Sequence, residues 1–462
     1  MKKRYKFTAL IFLSLLVYIV AGRLGFNFQQ ALSLAVFSLS ICGTLLFWQF
    51  RLSFSFLGVS LLLLTNTINL ENLIRFASLE IILFLVGMMI IVGMLKDSGF
   101  FSWIVQLILR IPNLTAKKFL IVTALISAAL TMMIDEVSAI IFVVAAILEI
   151  CDYFEVKPLP FIIIAVISAN VGSAGTVLGN PIGIIIASKS GLTFEDFMIK
   201  AFPLMLIALF FTILLLMFWY RKALDQFNKN IKIFGKNEML LHLISVPPDR
   251  QLKIGLFTFG MTILFIALHH RLEVFFNLEA NTMLLIMPLI FAAIVMIWKS
   301  SKAREYVEKD VEWWTLLFFM LLFAQAGTLK YTGATNVIAN SLAHIVGHNP
   351  RQLISVVLWS SAIGSSILDN VVFVAAFIPI IHSFEEIGFN ITSLWWALLF
   401  GGCFGGNITM IGSTANIVAL GILEKERNIK IVFFEWFWIG ATVGVFTTCI
   451  VWLGLLFLPF YR

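Results

Sequence analysis

Two apolar stretches decide the fold of this 462-residue chain: Thr131–Phe142, TMMIDEVSAIIF, and Ser365–Phe377, SSILDNVVFVAAF. Each stretch carries an aspartate near its centre, Asp135 in the first and Asp369 in the second, and the two lie 234 positions apart. A charged side chain at membrane depth costs at least about 2.5–3.5 kcal/mol, so it is rare and usually marks an ion path or a proton relay. The repetition of so costly a feature predicts a transporter built from two repeats.

The composition around these stretches is that of an all-α polytopic membrane protein. Hydrophobic residues make up 61% of the chain and charged residues only 12%, about half the share found in soluble domains. The net charge of +7 lies in short loops between apolar runs, which favours orientation signals in a lipid bilayer over nucleic-acid binding. We predict eleven crossings, at residues 7–22, 29–49, 53–70, 77–95, 159–189, 200–220, 252–270, 281–298, 312–329, 393–422 and 433–459.

The two aspartate-bearing runs, 118–151 and 352–384, are predicted to be re-entrant hairpins. Each contains more than 30 residues, so a central break leaves arms of about 23 Å, shorter than the roughly 30 Å hydrocarbon core. With hairpins and a cytoplasmic N-terminus, most of the 32 lysines and arginines fall on the cytoplasmic side, as the positive-inside rule expects. This topology places the C-terminus outside and gives the two repeats opposite orientations, so the hairpin tips are expected to meet near the midplane.

The same topology divides the chain into five parts. Scaffold helices over 1–76 precede repeat 1, which covers 77–220 and contains the hairpin 118–151 and a broken helix at 159–189. The charged segment 221–252 is predicted to be a cytoplasmic linker, and further scaffold helices are predicted at 253–311. Repeat 2 covers 312–462, with its hairpin at 352–384 and its broken helix at 393–422.

Each predicted broken helix contains a segment rich in glycine and asparagine, SANVGSAGTVLGNPIG at 168–183 and GGCFGGNITMIGSTANI at 401–417. Unwound backbone at membrane depth is tolerated only where it is buried or lines a cavity, although small residues also permit close helix packing. Packing alone does not explain the polar side chains among the glycines. The candidate ion- or substrate-binding residues at the hairpin tips and in these segments are Asp135, Glu136, Ser138, Asn170, Ser173, Thr176, Asn180, Asp369, Asn370, Asn407, Thr409, Ser413 and Asn416.

The aspartates suggest how transport is coupled. Burial disfavours the charged form of a carboxylate, so such a group can exchange a proton for a cation. We therefore expect H⁺ or Na⁺ as the coupling ion, with Na⁺ bound at Asp135 or Asp369, and no catalytic residue, resident metal or cofactor. Glu136 either adds a second titratable group or turns away to an ion pair elsewhere.

At these motifs the chain resembles the ion transporter superfamily, specifically its arsenite-permease and P-protein-like branch, which is related to citrate and dicarboxylate carriers and to sodium/proton antiporters. The resemblance covers nearly the whole length and rests on four pieces: ILDNVVFVAAFIPII at 367–381, SANVGSAGTVLGNPIGIIIAS at 168–188, FIALHH at 265–270 and VEWWTLLFFMLLFAQAGTLKYTG at 311–333. It implies a plasma-membrane homodimer with a scaffold and a mobile transport domain that moves like an elevator. A soluble ATPase partner, known for arsenite permeases, has no signature in this chain.

The departures from the superfamily pattern bear on substrate. Sodium-coupled dicarboxylate carriers have Ser-Asn-Thr at both tips, where this chain has Asp135-Glu136-Val137 and Asp369-Asn370-Val371. Within the closer branch the tip is usually Asp-Asn, so Glu136 is itself unusual. The branch's first loop ends Gly-Asp-Pro-Pro-Asn, whereas this one ends with Gly-Asn-Pro-Ile-Gly at 179–183, while Asn416 keeps the second loop's asparagine.

Several functions are compatible with this pattern. The leading hypothesis is a secondary active transporter of an inorganic ion, through arsenite or anion efflux or sodium/proton antiport. The alternative is a sodium-coupled carrier of di- or tricarboxylates such as citrate. More distant alternatives are a passive channel and an intramembrane aspartyl protease, whose two aspartates would have to share a proton at close range.

Overall fold

In a computed structural model, every secondary-structure element of the described part of the chain is helical. The structure describes residues 3–109, 111, 114–234, 249–346, 349–458 and 461. Eight of the helices are long and apolar enough to cross a bilayer, and shorter apolar helices accompany them. The prediction of an all-α polytopic membrane protein is therefore confirmed.

Among the helices of seven or more residues that the structure describes, four precede the first repeat and four connect the two repeats. The first group comprises α1 (Lys3–Arg23), α2 (Phe28–Leu46), α3 (Arg51–Leu64) and α4 (Leu70–Phe76). In the numbering used here the connecting group comprises α12 (Arg221–Phe234), α13 (Arg250–Ala267), α14 (His269–Phe276) and α15 (Thr282–Trp298). Residues 235–248 of the predicted linker lie outside the described residues. The part before them is helical and contacts the first repeat, because the side chain of Asn228 accepts a hydrogen bond from the backbone N–H of Ala116 at 2.8 Å.

Within the described residues, seven helices of ten or more residues make up each repeat. Those of the first are α5 (Leu79–Asp97), α6 (Phe100–Leu109), α7 (Ala116–Met133), α8 (Glu136–Tyr153), α9 (Leu159–Gly172), α10 (Pro181–Ser190) and α11 (Phe202–Trp219). Those of the second are α16 (Trp313–Tyr331), α17 (Ala334–Val346), α18 (Pro350–Ile367), α19 (Asn370–Glu386), α20 (Thr392–Gly405), α21 (Thr414–Arg427) and α22 (Phe433–Phe457).

The helix boundaries of the two repeats are in register. Helices α5 and α16 begin and end at the same separation in sequence as Asp135 and Asp369, which we call the repeat offset. Helices α7 and α18 keep this offset, and α9 and α20 correspond at an offset one residue shorter. Gly99 and Gly333, which follow α5 and α16, both adopt left-handed backbone conformations with φ of +82° and +78°. The opposite orientation of the repeats across the membrane stays a prediction.

Packing between the repeats is reciprocal. Helix α8 of the first repeat contacts α21 of the second, and α19 of the second contacts α10 of the first. In each pair, the helix that begins at a hairpin tip therefore packs against the helix that follows the glycine-rich segment of the other repeat.

The apolar runs with central aspartates are each split into two helices by two non-helical residues. Ile134 and Asp135 separate α7 from α8, and Leu368 and Asp369 separate α18 from α19. The arms contain 17 or 18 residues, so at 1.5 Å per residue they are about 26–27 Å long. They are therefore longer than predicted from the sequence, because helix continues almost to each aspartate.

The breaks in the glycine-rich segments are shorter than the sequence suggested. They cover 173–180, which we call the first break, and 406–413, the second break. Several glycines instead lie within helices and allow close packing: a Cβ at Gly172 would lie 2.6 Å from the Cα of Ala128, and one at Gly405 would lie 2.5 Å from the Cα of Ala362. The glycines thus serve both helix packing and unwinding, the two roles that the sequence left open.

Candidate functional site

The first hairpin tip is held together by the side chain of Asp135. This residue is the N-cap of α8, and its Oδ1 accepts hydrogen bonds from the backbone N–H groups of Val137 at 3.1 Å and Ser138 at 3.0 Å. An N-cap acceptor satisfies donors that a helix end otherwise leaves unpaired. One carboxylate oxygen of Asp135 is thus committed to the fold.

Asp369 has the same role in the second tip but is more enclosed. It caps α19 through a hydrogen bond from the backbone N–H of Val371 to Oδ1 at 3.1 Å, and its Oδ2 accepts from the hydroxyl of Thr414. Its side chain is buried, with 5% of its surface exposed. Both oxygens of Asp369 therefore have donors, and one donor belongs to the helix that follows the second break.

Glu136 joins the two repeats. Its Oε1 accepts from Asn370 Nδ2 at 3.2 Å and from Ser413 Oγ at 3.1 Å, and both donors belong to the second repeat. Its Oε2 is buried and has no hydrogen-bond partner among the described residues. In the described structure Glu136 therefore turns toward the second repeat and not toward an ion pair elsewhere, and its role as a second titratable group stays a prediction.

The first break is closed by its own polar side chains. Asn180 donates to Ser173 Oγ at 2.9 Å and to Cys403 Sγ at 3.1 Å, while its Oδ1 caps α10 through Gly183 N–H at 3.0 Å. Thr176 donates to the carbonyl of Met132 at 2.6 Å, immediately before the first tip. The break is therefore tied both to the first tip and to the other repeat.

The second break repeats part of this arrangement. Thr409 donates to the carbonyl of Ser366, the position that corresponds to Met132 at the repeat offset. Ser413, besides its bond to Glu136, accepts the backbone N–H of Ala415 and caps α21. In both repeats, a threonine of the break thus holds the end of the helix that leads to the tip.

Three buried asparagines join the two broken helices. Asn170 Nδ2 donates to Asn407 Oδ1 at 2.9 Å and to Asn416 Oδ1 at 2.8 Å. Asn416 in turn donates to the carbonyls of Gly406 and Thr409 at 2.8 and 2.9 Å. None of the three asparagines is exposed. Their amide groups link the two broken helices, and these hydrogen bonds bring three of the predicted candidates together.

A cavity of about 310 Å³, which we call the tip cavity, reaches the first tip. Asp135, Glu136 and Ser138 line it, together with Thr414 of the second repeat. It is also lined by Lys96, Lys309 and Asp310. Small-molecule sites commonly enclose roughly 300–1,000 Å³, so this cavity is large enough to hold two small ions.

Arg51 also lines the tip cavity, and sequence reasoning missed it. It lies between two predicted spans, so it was counted as a loop charge. Its side chain is 7% exposed, and its guanidinium lies 4.3 Å from the Trp48 ring centroid and 5.4 Å from that of Phe318. The available signal was an arginine flanked by aromatic and apolar residues, in the sequence FWQFRLSF at 47–54.

A second cavity, of about 210 Å³, corresponds to the tip cavity by the repeat. Gly327 and Lys330 line it where Gly93 and Lys96 line the first, again at the repeat offset. It lies near the opposite ends of the long helices, beside Ser78 at the start of α5. No tip residue from Asp369 to Val371 lines this cavity as described.

Comparison with known proteins identifies the family of this chain. A citrate transporter family model, CitMHS, matches residues 46–401. An uncharacterized transporter of Mycobacterium tuberculosis is 31% identical over 371 residues, 79% of this chain and 82% of that protein, and one of Mycobacterium bovis is 32% identical over 375 residues with the same coverage. The human P protein is 27% identical over 451 residues, 82% of this chain and 53% of its own length. This multi-pass membrane protein is therefore a transporter that belongs to the citrate transporter family.

Proposed function

We propose that the chain is a secondary active transporter of a small ion, coupled to protons or sodium through the tip carboxylates. The observation that carries the proposal is Glu136: a buried carboxylate shared between two repeats, with one oxygen unpartnered in the described structure, at the wall of a cavity. An unpartnered buried charge is costly, and binding a proton or a metal cation relieves that cost. Asp135 lies beside Glu136 in the cavity wall and supplies further oxygen ligands.

The two cavities support alternating access. They lie toward opposite ends of α5 and α16, and of the two only the tip cavity is lined by tip residues. In the proposed cycle, an elevator-like movement of the tips and breaks against the scaffold closes the tip cavity and extends the second cavity to the site. From the distribution of loop charges, we place the N-terminus and the opening of the tip cavity on the cytoplasmic side of the plasma membrane, and the C-terminus outside. The homodimer that the family resemblance implies is part of the same proposal.

The cargo that we propose is an inorganic ion, moved by anion efflux or by sodium/proton exchange. The description of the matching family favours citrate as a second candidate. The carboxylates at the tips argue against a tricarboxylate bound directly to them, because like charges repel at short range. Citrate would need a cation beside Glu136 as a bridge.

Proteoliposomes with a trapped pH-sensitive dye test this proposal. Sodium, potassium, citrate, phosphate or arsenate is added outside at several pH values, and proton movement is recorded. Asp135→Asn and Asp369→Asn are expected to abolish the ion-driven pH change while both proteins remain folded. Asp225→Asn, at an exposed aspartate of α12, is the matched control. Full ion-driven proton movement in both tip variants would overturn the proposal.

A further inference from the structure

Arg51 is a buried cation whose hydrogen-bonding capacity is hardly used. A guanidinium carries five N–H donors, and in this structure Nη2 donates to Thr315 Oγ1 at 2.8 Å. Its Nε is buried and has no hydrogen-bond partner in the described part of the chain. Within those residues, no carboxylate lies close enough to form an ion pair with it. Leaving such a donor unpaired costs about 1–3 kcal/mol or more, since the group is charged.

The setting of Arg51 distinguishes it from the lysines that share the cavity. Lys96 is neutralised by Asp310 at 3.1 Å, and Lys309 by Glu305 at 2.8 Å. The guanidinium of Arg51 is instead held by the Trp48 and Phe318 rings, whose faces attract cations without accepting its N–H groups in the plane. Its planar fork is thus fixed in the wall of the cavity, in the arrangement suited to bidentate recognition of a carboxylate or oxyanion.

We infer that Arg51 binds the anionic group of the cargo, a carboxylate or an inorganic oxyanion, within the tip cavity. This inference rests on the proposed function and narrows its cargo to an anion. The coupling cation or proton is held by Glu136 and Asp135 on the tip side, and the anion lies between that charge and Arg51. The hydroxyl group of Thr414, which also lines the cavity, is a further polar contact for an oxyanion.

The nearby acids define the alternative to be tested. Asp369 and Glu312 are carboxylates whose negative charges act on Arg51. If Arg51 served only as their counter-ion, its removal would change how proton movement depends on pH and leave anion affinity unchanged. A purely structural role, through Thr315 and the aromatic rings, would lower the melting temperature without changing affinity.

The test measures thermal stabilisation of the detergent-purified protein by citrate, succinate, phosphate, arsenate and sulfate, followed by currents on solid-supported membranes. A ligand that binds the folded protein raises its melting temperature with its concentration. At least one anion is expected to stabilise the unsubstituted protein, and Arg51→Gln to raise its half-saturating concentration at least about tenfold. Arg51→Lys keeps the charge but loses the fork, so we expect a rise of at least about threefold. Arg23→Gln, at an exposed end of α1, should match the unsubstituted protein.

Each outcome decides the inference. The inference would be overturned if Arg51→Gln had the same half-saturating anion concentrations as the unsubstituted protein, or if none of the five anions stabilised the unsubstituted protein. A change in the pH dependence of proton movement, without a change in anion affinity, would also overturn it. If Arg51→Gln does not fold, the Arg51→Lys titration carries the test. The pH-dye assay with sodium alone tests the proposed function separately from the anion site. If sodium drives proton movement in that assay but no anion stabilises the protein in the thermal assay, the coupling is supported and the anion site is overturned. If Arg51→Gln weakens anion binding but the unsubstituted protein shows no coupled proton movement, the anion site is supported and the coupling is overturned.

Discussion

Substitution of Glu136 separates its charge from its hydrogen bonds. Replacement by alanine removes the acceptor of both Asn370 and Ser413, whose side chains are completely buried. Each donor left without a partner costs about 1–3 kcal/mol, so Glu136→Ala should destabilise the protein by roughly 2–6 kcal/mol. Glu136→Gln keeps an oxygen at the Oε1 position and replaces the buried charge by a neutral amide, whose N–H groups also lack a partner at the Oε2 position, so its stability should lie close to that of the unsubstituted protein and above that of Glu136→Ala.

The two variants should nevertheless fail alike in transport. Neither can bind a proton or hold a cation as a carboxylate does, so coupled exchange should fall at least about tenfold in both. Chemical denaturation of the purified protein measures stability, and proteoliposomes with a trapped pH dye measure exchange. Glu149→Ala and Glu149→Gln, at an exposed position on the same helix, are the matched controls.

Two results would refute this reasoning, and they refute different parts of it. Undiminished exchange in Glu136→Gln would show that the carboxylate charge is not needed for coupling. Equal stability of the alanine and glutamine variants would show that the hydrogen bonds from Asn370 and Ser413 do not help to join the repeats.

Two further predictions concern the frame around the tips. Asn170→Ala leaves two buried amide oxygens, those of Asn407 and Asn416, without their shared donor, so denaturation should show a loss of roughly 2–6 kcal/mol, whereas Asn340→Ala at an exposed position should change little. Gly405→Ala places a Cβ 2.2 Å from the carbonyl oxygen of Ala362 and should cost about 1–3 kcal/mol of stability; Gly421→Ala, with no atom within 4 Å, should stabilise by up to about 1 kcal/mol. A Gly405→Ala protein as stable as Gly421→Ala would show that α18 and α20 can separate at little cost.

Sequence alone predicted the parts of this architecture that carry a periodic or costly signal. Long apolar runs predicted membrane helices, and the aspartates marked the helix breaks because a carboxylate at depth needs donors such as the N–H groups of an N-cap. Contacts between the repeats could not be predicted, because nothing local in the sequence shows that Asn170 hydrogen-bonds to Asn416 or that Ser413 hydrogen-bonds to Glu136. Arg51 was missed for a related reason: its burial depends on rings at Trp48 and Phe318, and the second lies far along the chain.

The opposing tips are most informative where the repeats differ. Positions 136 and 370 correspond at the repeat offset and contact each other directly, so matching residues would form a symmetric pair there. The chain instead has a carboxylate in one repeat and an amide in the other. The amide donates one N–H, and the Oε2 of the carboxylate is left without a hydrogen-bond partner in the described structure. A site that binds and releases a charge needs such an incomplete set of partners, because a fully satisfied pair would have little to gain from a proton or a cation. The difference between the tips, more than their repetition, is therefore the feature on which coupling is expected to depend.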